Sequence, residues 1–242
     1  MNTAAHEPRS SPTGGLTSTR RPRLIVFDVN ETLSDTSAMF ERFADVGAPG
    51  HLFDVWFAGL LRDGFALTSA GTAEPFATIG SALLANILSG TDLDRPVDYA
   101  VDHIMSGFTD LDVHPDVVEG ITELARSGTE LVTLSNGSTD VARALLGKAG
   151  IADSFDAMLS VEAAGRWKPH ADAYRYALTQ RAVAAEDAML VAVHPWDIDG
   201  ARRAGMSTAW INRNAARYPS YFSEPDVEAT SIAHLARLLS GS

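Results

Sequence analysis

Five short apolar runs, set apart by helix-length segments, constrain this chain more than any other feature. They lie at residues 23–29 (RLIVFDV), 130–134 (ELVTL), 157–160 (AMLS), 188–193 (AMLVAV) and 207–211 (STAWI). Such runs, rich in β-branched and aromatic residues and followed by turn formers, read as strands. Residues 115–126, 139–148, 171–181 and 197–203 carry helical patterns between them, and Gly128 marks a helix stop just before the second run. Strands alternating with helices of this length predict an α/β fold, a Rossmann-like doubly wound parallel sheet. In such sheets ligands bind beyond the carboxyl ends of the strands. The polar residues just after each run therefore carry the functional reading.

Residues 37–110 break the alternation. They look helical at 38–46, 51–61, 76–88 and 97–107, with Phe53, Phe57, Leu60 and Leu61 at helical spacing. This predicts an inserted helical cap domain over 37–110, able to act as a lid, on a catalytic core formed by 23–36 and 111–242. Residues 1–22 are rich in Ser, Thr, Gly, Pro and Arg and lack the apolar stretch of a secretory leader. They are read as a disordered tail, and the protein as cytoplasmic.

Composition narrows the chemistry. With 45% hydrophobic residues, the 242-residue chain can bury a sizeable core. Nineteen Lys and Arg against thirty-one Asp and Glu give a net charge of −12, which argues against nucleic acid or an anionic membrane as partner. An anionic ligand would need a locally positive site. There is no cysteine, so disulfides, thiolate metal sites and cysteine nucleophiles are excluded together. No apolar run reaches the roughly 18 residues of a membrane-spanning helix.

Four segments stand at or just after strand ends: Phe27-Asp28-Val29-Asn30-Glu31-Thr32-Leu33, Leu134-Ser135-Asn136-Gly137-Ser138, Lys168-Pro169 and Val193-His194-Pro195-Trp196-Asp197. In this order, carboxylate, hydroxyl, lysine and His/Asp, the chain resembles the haloacid dehalogenase superfamily over about residues 23–211, and within it the type II (S)-2-haloacid dehalogenases. The resemblance implies hydrolysis of a short 2-haloalkanoic acid to a 2-hydroxy acid. Asp28 would be the nucleophile and form an ester, and Lys168 would be its positive neighbour, bridged to Asp197. Thr32 would orient Asp28, and Ser135 and Asn136 would hold the substrate carboxylate. Tyr174 and Trp196 would lie at the pocket, though each could equally be plain packing. A homodimer is a further expectation of the resemblance. In isolation, an Asp after a strand more often caps a turn.

Asn30 matters by what it is not. Phosphatases of the superfamily carry a second Asp two residues after the nucleophile, and a metal-ligating Asp where this chain has Val193. Asn30 cannot transfer a proton. Without a metal, a phosphoryl dianion facing Asp28 is repelled by roughly 4 kcal/mol per pair of like charges at 4 Å and an effective dielectric near 20. No metal and no cofactor are expected, which favours carbon–halogen chemistry over a Mg²⁺-dependent phosphatase. Hydrolysis of another small electrophilic acid by the same ester route is the other alternative.

The chain also departs from the type II pattern. Ala192 and His194 replace a Ser and an Asn, and the position of the cap Arg that contacts halide aligns near Phe57, with Arg62 the nearest substitute. The Phe53, Trp56 and Phe57 stripe is then cap core, a subunit contact or the apolar wall of a pocket around the substrate tail. His194 and Glu31 should converge on one crevice. A neutral His oriented by a carboxylate is a good base near neutral pH, so His194 is expected to activate the hydrolytic water with Glu31 orienting it. The alternative is a turn-closing His and a surface Glu. His51, His103, His114 and His170 read as scattered surface residues.

Overall fold

The computed structural model describes residues 21–241; the expectation for the tail, apart from Arg21 and Pro22, lies outside them. The apolar runs form a six-stranded sheet of β1 (Leu24–Phe27), β4 (Glu130–Ser135), β5 (Ala157–Ser160), β6 (Ala188–Ala192), β7 (Ser207–Ile211) and β8 (Val227–Ala229). Every neighbouring pair is parallel, in the order β5-β4-β1-β6-β7-β8. All four residues of β1 and all five of β6 are buried, as central parallel strands covered on both faces require. The chain winds outward from β1 through β4 to β5, then returns past β1 to build β6, β7 and β8. The winding direction thus reverses at β1, which puts the crevice of the sheet at the end of that strand.

Between β2 (Ser34–Asp35) and β3 (Asp112–Val113), a short antiparallel pair, lie four helices: α1 (Ala38–Ala44), α2 (Leu52–Ser69), α3 (Phe76–Leu88) and α4 (Val97–Ser106). Their shared core is aromatic, with Phe53 stacked on Phe57 at 5.7 Å and Trp56 beside Phe108 at 5.6 Å. α2 runs eight residues beyond the expected end at 61. Gly64 stands inside that extension, at an intrinsic cost of about 1 kcal/mol against alanine. Packing is why it is tolerated: a Cβ there would come 2.4 Å from the Trp167 ring. Trp167 is further tied to this region by its N–H, which donates to Thr68 Oγ1 at 3.1 Å, by its indole N–H to the Glu74 carbonyl at 2.9 Å, and by a near-parallel stack on Phe76.

Beyond residue 211, where no element is expected, β8 and α10 (Ile232–Ser240) follow. Ile232, Leu235, Ala236 and Leu239 bury one face of α10 at helical spacing, and Ser231 caps it by accepting the His234 N–H at 2.9 Å. Among the described residues no helix is long and apolar enough to cross a membrane.

Candidate active site

Asp28 is the first residue past β1, its N–H held by the Val191 carbonyl at 3.0 Å. Beyond it the chain turns at Glu31, which takes left-handed backbone with φ 61°, a strain on the order of 1–3 kcal/mol for a side-chain-bearing residue. Two distant side chains hold this turn. His114 donates to the Glu31 carbonyl at 3.0 Å, and Arg213 donates to the Thr32 carbonyl at 3.0 Å while pairing with Asp116 at 3.2 Å. His114 is thus a support of the site rather than the surface residue expected. Burial first and Arg213 second push its imidazole below the usual value, keeping it neutral. Neither residue carried a local signal, since 83 and 181 positions separate them from their partners.

The ammonium of Lys168 lies 2.8 Å from Asp28 Oδ1 and 2.7 Å from Asp197 Oδ2, with no exposure of its side chain. Thr32 Oγ1 donates to Asp28 Oδ2 at 2.6 Å and accepts the Val193 N–H at 3.1 Å, so one hydroxyl ties the nucleophile's loop to the end of β6. Burial opposes charge on Asp28, but Lys168 and then His194 outweigh it and hold the carboxyl below the ordinary carboxylate range. Burial also opposes charge on Lys168, yet Asp197 and Asp28 together hold its ammonium above the usual lysine value. Asp197 moves the other way: burial pushes it up against the pull of Lys168, and the Asp28 charge adds to the rise. Three buried charges thus sum to −1, and the anion resides most firmly on Asp28.

Tyr174 and Asn136 stand where expected but face different partners. The Tyr174 hydroxyl donates to Asp197 Oδ1 at 2.6 Å, behind the ammonium, and burial raises its pKa well above the usual phenol value. Gly200 makes the approach possible, because a Cβ there would come 2.5 Å from that hydroxyl. Tyr174 therefore acts on Asp197 rather than on a ligand. Asn136 Oδ1 accepts the Lys168 N–H at 2.9 Å and its Nδ2 donates to the Lys168 carbonyl at 3.4 Å, so this side chain positions the lysine loop. Ser135 Oγ accepts the Gly137 N–H at 2.9 Å and keeps its own proton free to donate.

His194, just past β6, converges on Asp28 and Glu31. Its Nε2 lies 3.7 Å from Asp28 Oδ2, 3.4 Å from Glu31 Oε2 and 3.3 Å from the Asn30 carbonyl. All three are acceptors, so Nε2 presents a proton to the site rather than a lone pair. Trp196 fixes the ring by stacking on it at 5.0 Å and meets Phe65 of α2 edge-on at 5.0 Å. Glu31 is raised by burial, with His194 opposing and Asp28 and Asp54 adding to the rise. His194 and Glu31 line a cavity of about 570 Å³ together with Asp35, Phe53, Asp54 and Arg213.

Two residues expected at the ligand, Arg62 and Phe57, do not line this cavity. Arg62 is exposed and pairs with its neighbour Asp63 at 2.8 Å; five residues carry it about 140° around α2 from Phe57. Phe57 lies in the aromatic core with Phe53 and Trp56. It is Phe53, not Phe57, that lines the cavity. No group of three or more His, Cys, Asp or Glu side chains among the described residues is arranged to hold a metal ion.

Comparison with known proteins places this geometry. The chain is 28% identical over 193 residues to an (S)-2-haloacid dehalogenase of Xanthobacter autotrophicus, covering 79% of this chain and 75% of that one. A solved structure of L-2-haloacid dehalogenase from Xanthobacter autotrophicus with chloropropionic acid covalently bound superposes with a TM-score of 0.81 at 25% identity, over 91% of this chain and 99% of that one. A phosphoserine phosphatase of Thermus thermophilus is 35% identical over a shorter stretch of 102 residues, 42% of this chain and 41% of that one. A family model described as haloacid dehalogenase-like hydrolase matches residues 81–211, more than half of the sequence. The chain belongs to the haloacid dehalogenase-like hydrolases.

Proposed function

We propose that this protein hydrolyses short (S)-2-haloalkanoic acids to 2-hydroxy acids through an ester on Asp28. The observation that carries the reading is the partner of that carboxylate: a fully buried ammonium at 2.8 Å, with Asn30 two residues on instead of a second aspartate. A carboxylate desolvated in this way and aimed at carbon is a competent nucleophile. Residues 37–110 serve as a cap that walls the crevice.

In the first step an Asp28 oxygen attacks C2, and halide leaves with the electrons of the carbon–halogen bond. The Ser135 hydroxyl grips the substrate carboxylate. In the second step water adds to Cγ of Asp28. Its proton passes to Glu31, the carboxylate whose raised pKa suits it to accept one. Lys168 Nζ–H and His194 Nε2–H lie beside the carboxyl oxygens where negative charge collects. Cleavage of the ester Cγ–O bond then releases the 2-hydroxy acid, whose oxygen takes the proton back from Glu31. Asp28 loses its remaining proton to solvent. Within the His–Glu pair the acceptor is therefore Glu31, and His194 orients it, the reverse of the order expected from the residue types.

A single turnover of (S)-2-chloropropanoate in ¹⁸O-water tests the route. The expected result is halide release that chelator leaves intact, ¹⁸O in the peptide containing Asp28 and unlabelled lactate. Label in lactate with none in the enzyme, or activity abolished by chelator, overturns it.

A further inference from the structure

A second cavity, of about 220 Å³, lies between the helical region and the sheet, on the side of the Asp28 loop away from His194. Asn30 divides the two spaces: its carbonyl meets His194 Nε2, while the residue itself lines this second cavity. The remaining walls include Phe76, Ala77, Met105 and Phe108 from the helices and Val141 from the first turns of α6 (Thr139–Lys148). Gly137 completes the boundary on the side of Ser135. A Cβ there would come 3.3 Å from Ser135 Oγ and 3.9 Å from Asn30 Nδ2, so a side chain at this position would crowd the serine. Phe76 and Phe108 meet edge-on at 5.4 Å and are themselves buried, which gives the space a firm aromatic wall. At its rim stands Glu162, an exposed carboxylate.

We propose that this cavity receives the C2 substituent of the substrate and that the substituent is an apolar chain of three to five carbons or a benzyl group. The inference rests on the dehalogenase reading and moves its substrate class from the shortest 2-haloacids to those with an apolar tail. Three observations carry it. The cavity borders both loops that would hold the reacting acid, each two residues past a key group: Asn30 past Asp28 and Gly137 past Ser135. Its walls are mostly apolar, with the hydroxyls of Ser81, Thr109 and Ser138 the polar exceptions beside Asn30 and Glu162. Its volume exceeds the roughly 150 Å³ that accommodates benzene in an apolar protein cavity. The Glu162 carboxylate at the rim disfavours a tail ending in a second carboxylate. The two spaces then divide the work, apolar tail on one side of Asp28, water and His194 on the other.

The test is kcat/KM for halide release from (S)-2-bromo acids of three, four, five and six carbons, with (S)-2-bromo-3-phenylpropanoate and 2-bromoadipate alongside. Each buried methylene is expected to raise kcat/KM by about fourfold, with phenylpropanoate among the best substrates and adipate well below hexanoate. Ala77→Leu and Met105→Phe, each with its melting temperature measured, are expected to pull the hexanoate-to-propanoate ratio back toward one. Turnover of propanoate with a flat or falling series, or a ratio that neither folded variant changes, overturns the tail pocket and leaves the dehalogenase reading standing. Absence of halide release from every member overturns both.

Discussion

Asp28 is flanked by two groups of ionisable residues built on opposite terms. On the inner side, Lys168, Asp197 and Tyr174 have no exposed surface and are locked to one another by contacts of 2.6–2.8 Å. On the outer side, His194 and Glu31 line a cavity of about 570 Å³, retain partial exposure and stand 3.4 Å apart. The inner group has no room to exchange partners and serves as a fixed field. The outer group has space for water and a carboxylate drawn toward the range where protons move. The site thus separates the charge that steadies the nucleophile from the groups that handle the water.

Four variants break or sharpen this contrast. Asp28→Asn removes the nucleophile common to both sides and is expected to lower multiple-turnover halide release roughly 10⁴-fold or more, with no alkylated peptide in quenched enzyme by mass spectrometry. Lys168→Met strikes the inner side. It leaves two buried carboxylates facing one another, at a stability cost of about 3–5 kcal/mol, read as a lower melting temperature. Burial then acts on Asp28 without the opposing ammonium, so its carboxyl rises and the acid limb of single-turnover halide release moves to higher pH. In the parent, Asp28 is held low, so the stability its pairing provides is complete above the ordinary carboxylate value and is lost progressively as pH falls from there through the lower folded value.

On the outer side, Glu31→Gln is expected to slow ester hydrolysis by about 10²–10³-fold while the first-turnover halide burst survives, so the Asp28 ester accumulates. His194→Asn keeps a donor toward Glu31 and is expected to cost less, about tenfold by the same measurement. A larger loss from His194→Asn than from Glu31→Gln would restore histidine as the proton acceptor.

Much of this was legible in the residues. The buried strands are continuous apolar runs, and the groups beyond their ends converge because a parallel sheet collects its carboxyl ends on one edge. The meeting of His194 with Glu31 follows from that rule, while the Asp28, Lys168 and Asp197 cluster was implied by the family resemblance. What stayed hidden depends on where side chains point. Tyr174 and Asn136 sit at the expected places yet turn to Asp197 and to the Lys168 main chain. Arg62 shares a helix with the site but not a face of it. The supporting roles of His114 and Arg213 arise only through folding, since each reaches the Asp28 loop across a long stretch of chain. The extension of α2 beyond 61 carries Gly64, a poor helix former in sequence that Trp167 packs against in the fold. For α10 the signal is present in the residues, with Ile232, Leu235, Ala236 and Leu239 at helical spacing behind the Ser231 cap.

The meeting of Gly64 with Trp167 has a mechanical result. Trp167 immediately precedes Lys168, so the peptide that delivers the ammonium is bolted to the helices above it by two hydrogen bonds and an aromatic stack. Hoisting those helices off the sheet would tug on that peptide and disarm the aspartate at the same moment. An engineer wishing to widen the site would therefore carve the surrounding walls and leave this joint intact.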